Sequence, residues 1–149
     1  MDQMKPFYTA TAIASGDRLG GTTALANGTI EVALAPPAET GGAGGANNPE
    51  ELFALGYAAC FHSALKVAGS RQGKSVKNST ITAKVMIGNA DGVHKSGHRD
   101  DTFSLGVELI ATVPELTADE VQELLEAAHE LCVYSKATRG NIPVKLSVG

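Results

Sequence analysis

The sequence predicts an α+β domain in which antiparallel sheets pack around two main helices, in the order βββ-α-ββ-α-β. Three observations carry that expectation. Residues 48–69 hold an uncharged run from Leu52 to Phe61, and Leu52, Phe53, Leu55, Tyr57, Cys60 and Phe61 spread around the whole helical circumference, the pattern of a helix enclosed on all sides. A second helix, from Thr117, puts Val121, Leu124, Leu125, Ala128, Leu131 and Cys132 on one face and Glu123, Glu126 and Glu130 outside it. Elsewhere, short runs rich in Thr and β-branched residues are punctuated by Gly, Asn and Pro, as strands and their turns are. With 149 residues, 43% of them hydrophobic, the chain is expected to form one domain, 1–149, with its own core.

Residues 7–13 read as the first strand, ended by Ser15, Gly16 and Asp17, with Arg18 directly on that turn. Strands at 22–25 and 30–34 are joined by Asn27-Gly28, a pair that favours a type I′ hairpin. Pro36 and Pro37 stop this meander, and the glycine run 41–45 leads into the central helix as a flexible connector. Asn48 is a suitable N-cap, Pro49 fits the first helical position, and Glu51 stands where a capping box needs it. After a polar linker, residues 80–87 alternate Ile81, Ala83, Val85 and Ile87 against polar neighbours, and their partner strand is 103–113. Thr117 with Glu120 forms the capping box of the second helix. A short turn at 134–140 and a last strand at 143–148 complete the chain.

Composition excludes several functions. The formal charge of −4, with both signs interspersed, offers no basic stripe for nucleic acid and no polybasic segment for a membrane surface. The N-terminus lacks the apolar run of a signal peptide, and no apolar stretch of about 18 residues is expected to span a bilayer, which places the chain in the cytoplasm. In a reducing compartment two cysteines seldom form a structural disulfide. Cys60 and Cys132 are therefore either two unrelated buried thiols or a redox couple.

Two further motifs are weighed and set aside. A glycine run ahead of a helix can cradle a phosphate, but Glu50 and Glu51 in the first turn would repel an anion and no Lys-Ser/Thr follows the glycines. His94, His98, Asp100 and Asp101 have spacings found in metal sites, yet no helical pattern surrounds them, so the segment reads as a solvated hairpin loop and no metal is expected.

A thiol in the middle of an apolar helix is either an inert small residue or a nucleophile sheltered from bulk water. The second role needs a nearby cation, because burial alone disfavours a thiolate. Arg18, on a glycine-flanked turn, can supply a charge that is never lost, with Glu50 to hold its guanidinium. The plainer readings are a solvated turn residue for Arg18 and a first-turn carboxylate for Glu50.

The segments GGAGG, NPEELFALGYAACF and CVYSKATRGNI, with the YTATA start and the SGDRLGG turn, resemble the organic hydroperoxide resistance (Ohr) branch of the OsmC/Ohr family of thiol peroxidases across nearly the whole chain. The resemblance implies an OsmC/Ohr-like fold, an intertwined homodimer and reduction of organic and lipid hydroperoxides without a bound cofactor. It implies that Cys60 is the peroxidatic thiol, Cys132 the resolving thiol, and Arg18 with Glu50 the charged pair that activates Cys60. It also implies a dithiol reductant, a lipoyl group on a carrier protein rather than thioredoxin. Phe53, Tyr57, Phe61 and Pro36 are then candidates for an apolar substrate mouth, with plain core packing as the competing reading. Val133 stands where the family usually has Pro, which restores a backbone N–H and frees φ. Glu50 and Cys60 are ten residues apart, about 15 Å along a helix, so Arg18 and Glu50 are expected to serve Cys60 of the other subunit. The competing functions are an OsmC-type peroxidase of broader specificity and a non-enzymatic two-cysteine redox sensor.

Overall fold

A computed structural model describes residues 4–89 and 103–149; His94, His98, Asp100 and Asp101 lie outside the described residues. The chain divides into two compact units, Met1–Leu52 and Phe53–Gly149.

In the first unit, β1 (Ala12–Ser15), β2 (Thr22–Leu25) and β3 (Glu31–Ala33) form an antiparallel sheet in sequence order. The first strand is later and shorter than residues 7–13 because pairing runs out: Ala12 lies opposite Leu25, the last residue of β2, and Phe7 is fully exposed. The β2–β3 connection is not a type I′ turn. That turn needs positive φ at both central residues, whereas only Gly28 has it, at 74°. Asn27 instead accepts hydrogen bonds from Thr29 through its Oδ1, at 3.0 Å from the backbone N and 2.7 Å from Oγ1, and this local bond holds the loop in another form.

The glycine run is built into the fold rather than left as a loose connector. A 3-10 turn at Ala38–Thr40 precedes it, Gly44 N–H donates to Pro36 C=O at 3.1 Å, and a Cβ on Gly42 would lie 2.4 Å from that same carbonyl oxygen. The segment returns the chain so that Asn47 bridges Leu34. Asn48 then caps α1 (Pro49–Arg71), its Oδ1 accepting from Glu51 N–H at 2.9 Å. The Glu51 carboxylate accepts from the Asn47 side chain at 2.8 Å.

The second unit contains β4 (Thr80–Asn89), β5 (Phe103–Thr112), β6 (Val144–Val148), α2 (Ala118–Leu131) and α3 (Val133–Thr138). Thr117 and Glu120 form the expected capping box. Two features depart from expectation. β6 runs parallel to β5, so the sheet β4-β5-β6 is mixed rather than antiparallel. The segment at 134–140, read as a turn, overlaps α3, a helix whose six residues are too few for a periodic signal. The core joins Tyr57, Phe61, Leu65 and Ala68 of α1 to Val107, Leu109 and Ala111 of β5 and to Val121, Leu124, Leu125 and Ala128 of α2. Each fully buried Leu contributes about 1.5–3 kcal/mol through removal of its surface from water.

Within one chain α1 is not enclosed on all sides. Leu55 and Val67 are 68% and 45% exposed, and Ala59 between them is also exposed. By length and composition α1 is also long and apolar enough to cross a membrane, contrary to the expectation that no such stretch exists. Of this helix, Tyr57, Phe61, Ala64, Leu65, Ala68 and Gly69 are committed to the core.

Candidate functional site

The two cysteines come together in the second unit. α1 carries Cys60, half-buried, and the end of α2 carries Cys132, which is 2% exposed. Cys132 has extended backbone angles (φ −65°, ψ 125°) and is both the C-cap of α2 and the N-cap of α3. The chain bends there, and the sulfur is turned onto α1. The Cys132 thiol donates to Cys60 Sγ at 3.3 Å across 72 residues of sequence, and both thiols are free. A disulfide needs an S–S distance of about 2.04 Å, so closing the bond takes a shift of about 1.3 Å. Burial pushes the Cys132 thiol up from its ordinary pKa, the hydrogen bond to Cys60 and the charge of Cys60 add to this, and the backbone N–H and hydroxyl of Ser135 pull the other way.

Ser135, fully buried on α3, is the hub of this region. Its Oγ lies 2.9 Å from Tyr57 Oη and 2.8 Å from His129 Nδ1, and Tyr57 Oη also meets Thr138 Oγ1 at 3.0 Å. Every polar group in this buried patch is thereby satisfied, as burial requires. Around it, Phe53 meets the Tyr57 ring edge-on at 5.8 Å, and Tyr134 lies 5.7 Å from Tyr57 and 6.1 Å from Phe53. Gly56 makes room for Tyr134, whose Oη would lie 2.8 Å from a Cβ at that position. Tyr57 and Phe61 are fully buried in the core, and Phe53 packs at its margin.

Arg18 and Glu50 meet in the first unit. The turn after β1 is tied by Asp17, which accepts from Leu19 N–H through its side chain and from Gly21 N–H through its carbonyl. Gly21 is required there, since a Cβ would lie 2.4 Å from Ser15 C=O. Arg18 Nη2 donates to Glu50 Oε1 at 2.5 Å, with the two side chains 45% and 16% exposed. Pro36, partly buried in the same unit, packs on Gly42.

Ser135, Thr138 and His129 were not singled out from the sequence. Cys132, Ser135 and Thr138 recur every three residues, and that spacing of polar side chains after an apolar stripe is the signal that could have marked them. Among the described residues, no group of three or more His, Cys, Asp or Glu side chains is placed to hold a metal ion.

Two free sulfurs thus lie 3.3 Å apart, one sealed and one half-buried, in an α+β protein. A family model described as OsmC-like protein matches residues 41–147. The organic hydroperoxide resistance protein of Xanthomonas axonopodis pv. citri (strain 306) is 42% identical over 146 residues, covering 97% of this chain and 96% of its own length. An organic hydroperoxide resistance protein OsmC from Legionella pneumophila superposes with a TM-score of 0.83 at 42% identity, over 97% of this chain and 99% of that one. OhrB of Bacillus subtilis does so with a TM-score of 0.80 at 36% identity, over 97% and 100%. The chain belongs to the OsmC-like family, among its organic hydroperoxide resistance proteins.

Proposed function

We propose that the protein is a thiol-dependent peroxidase that reduces organic hydroperoxides, alkyl and fatty-acid, to alcohols. The observation that carries this reading is the 3.3 Å approach of two free sulfurs, one half-buried and one sealed. The family membership and the names of its relatives support the substrate class.

The Cys60 thiolate attacks the terminal oxygen of the hydroperoxide. The O–O bond breaks, the alkoxide leaves and takes a proton, and Cys60 becomes a sulfenic acid. The Cys132 thiolate then attacks the Cys60 sulfur, the S–O bond breaks, the leaving hydroxide takes a proton from solvent to become water, and a Cys60–Cys132 disulfide remains. An external dithiol, a lipoyl group on a carrier protein in this reading, reduces it by thiol–disulfide exchange. Arg18, held by Glu50, favours the thiolate and the negative charge that develops on the leaving oxygen.

Arg18 and Glu50 act on Cys60 of the partner subunit in a homodimer. The ten-residue separation of Glu50 and Cys60 along α1, about 15 Å, favours this arrangement. The exposed apolar stripe of Leu55, Ala59 and Val67 on α1 supports a helix-to-helix dimer contact. The family match at 41–147 draws on both compact units, which supports one OsmC-type domain over 1–149. The protein acts in the cytoplasm.

The test is steady-state turnover of tert-butyl hydroperoxide and of hydrogen peroxide with dihydrolipoamide as reductant. Sustained turnover favouring the alkyl hydroperoxide, abolished by Cys60→Ser, is expected. A single stoichiometric burst would instead mark a redox sensor, and equal rates with both peroxides would mark broader specificity.

A further inference from the structure

The two sulfurs are not equivalent. Cys132 is sealed, at 2% exposed, whereas Cys60 is half-buried. The hydrogen bond between them has a direction: the Cys132 thiol donates and Cys60 Sγ accepts, at 3.3 Å. Two thiolates at that distance would repel each other, so over a wide pH range the pair holds a single proton. The charge costs less on the sulfur nearer water, and the proton stays on the buried one. Burial raises the Cys132 pKa, and the hydrogen bond to Cys60 and the charge of Cys60 act in the same direction.

Other titratable groups around the pair are engaged elsewhere. On α1, Tyr57 meets Ser135 and Thr138, and His62 meets Ser79 at 3.0 Å. On α2, His129 meets Ser135, and Glu130 pairs with Arg139. On α3, Tyr134 lies against Gly56, and Lys136 is exposed. β5 gives the core the apolar side chains of Val107, Leu109 and Ala111. Among the described residues, the donor placed on Cys60 Sγ is therefore the Cys132 thiol.

We propose that Cys132 acts before it resolves anything: its S–H group holds Cys60 as the thiolate by donating a hydrogen bond to it. The pairing stands on geometry, and its use in catalysis rests on the peroxidase reading. A hydrogen bond to the charged form favours that form, and the acceptor here is the sulfur that must be ionised to attack. The same contact times the second step. When Cys60 attacks the hydroperoxide, the O–O bond breaks and the sulfur is oxidised to a sulfenic acid; the electron pair leaves with the alkoxide, which takes a proton from solvent. Cys60 then carries no charge, and the Cys132 proton loses what held it. Cys132 ionises and attacks the Cys60 sulfur, and the proton it releases balances the one that the departing hydroxide takes up.

The test reads ionisation in the reduced protein, without peroxide. Alkylation by iodoacetamide is followed from about pH 4 to pH 11 in wild type, Cys132→Ser and Cys132→Ala, with peptide mass spectrometry separating Cys60 from Cys132. Serine keeps a donor at the site and alanine does not. Cys132→Ala is expected to raise the Cys60 pKa by about one unit, an about tenfold change in the ionisation equilibrium, and Cys132→Ser to keep it close to wild type. In Cys60→Ser the neighbouring charge is gone, so Cys132 should ionise at a lower pH than in wild type. An unchanged Cys60 pKa in Cys132→Ala would overturn the proposal. An equal rise in Cys132→Ser and Cys132→Ala would also overturn it, by marking packing rather than donation. If Cys132→Ala does not fold, the Cys60→Ser measurement decides, and a Cys132 midpoint at or above the wild-type value would count against the shared proton. A Cys60 pKa that follows the donor, in a protein that does not turn over hydroperoxide, would remove the peroxidase reading and leave the pairing standing. Turnover of hydroperoxide by a protein whose Cys60 pKa ignores Cys132 would do the reverse.

Discussion

Tyr57 Oη lies 2.9 Å from Ser135 Oγ, fastening the middle of α1 to α3. Tyr57 also meets Thr138 Oγ1 at 3.0 Å, and all three side chains are buried. Replacing Tyr57 by Phe keeps the ring contacts with Phe53, Phe61 and Tyr134 but removes one hydrogen bond each from Ser135 Oγ and Thr138 Oγ1, which keep His129 Nδ1 and the Ser135 carbonyl as partners. Tyr57→Phe should therefore lower stability by about 0.5–1.5 kcal/mol for each hydrogen bond lost, since no buried group is left unsatisfied. Urea denaturation checks this; a midpoint equal to wild type would show that the Tyr57 hydroxyl adds nothing to the tie between α1 and α3.

Cys132→Ser separates the two halves of the proposed reaction. Ser fits the site and retains a hydrogen-bond donor toward Cys60, so the fold and the first oxidation should survive. The variant should consume about one equivalent of tert-butyl hydroperoxide per Cys60 at near-wild-type rate, then stop with a dimedone-reactive sulfenic acid. Continued turnover with dihydrolipoamide at the wild-type rate would remove Cys132 from the cycle.

Gly56 faces the ring of Tyr134, where an added Cβ would lie 2.8 Å from Oη and 3.1 Å from the ring edge. The gain in helix propensity from Gly to Ala, about 1 kcal/mol, competes with an overpacking cost of about 1–3 kcal/mol. Because Tyr134 is 37% exposed at its other side, it can swing outward. Gly56→Ala should thus be close to neutral or destabilising by up to about 2 kcal/mol, and a Gly56→Ala/Tyr134→Ala double variant should be non-additive in a thermal melt. Strict additivity would mean the two positions do not meet in solution.

What was legible in the sequence was what neighbours along the chain decide. The Thr117–Glu120 capping box, the Asn48 cap and the alternation of Ile81, Ala83 and Val85 rest on contacts a few residues long. Elements that depend on distant partners were not legible. The parallel pairing of β6 with β5 is set by the α2–α3 connection, and β1 is trimmed by where β2 ends. Asn27 shows a local rule overruled by another local rule, its own side-chain bonds to Thr29 displacing the hairpin turn that Asn-Gly favours. At the site, the two thiols and the Arg18–Glu50 pair were nameable by residue type. Ser135 and His129 were not, because a serine and a histidine on an amphipathic pattern become informative only once their side chains are seen to meet.

Glu108 ties the three strands of the second sheet through its carboxylate. It stands at the middle of β5, opposite Lys84 on β4 and Lys145 on β6. Its carboxylate accepts from Ser147 Oγ at 2.8 Å and from Lys145 Nζ at 3.1 Å, with Lys84 Nζ at 3.4 Å. The Ser147 bond first and the Lys145 bond next lower its pKa from 4.5 to about 2. A folded-state pKa below the unfolded value means that the stabilisation is fully present above about pH 4.5 and is lost as pH falls toward about 2. In Glu108→Gln that component of the pH dependence should vanish, so the variant should be less stable than wild type near pH 7 and converge with it toward pH 2. Urea midpoints measured across that range check the sign; a gap that widens on acidification would refute the assignment of this carboxylate as the charged tie between three strands.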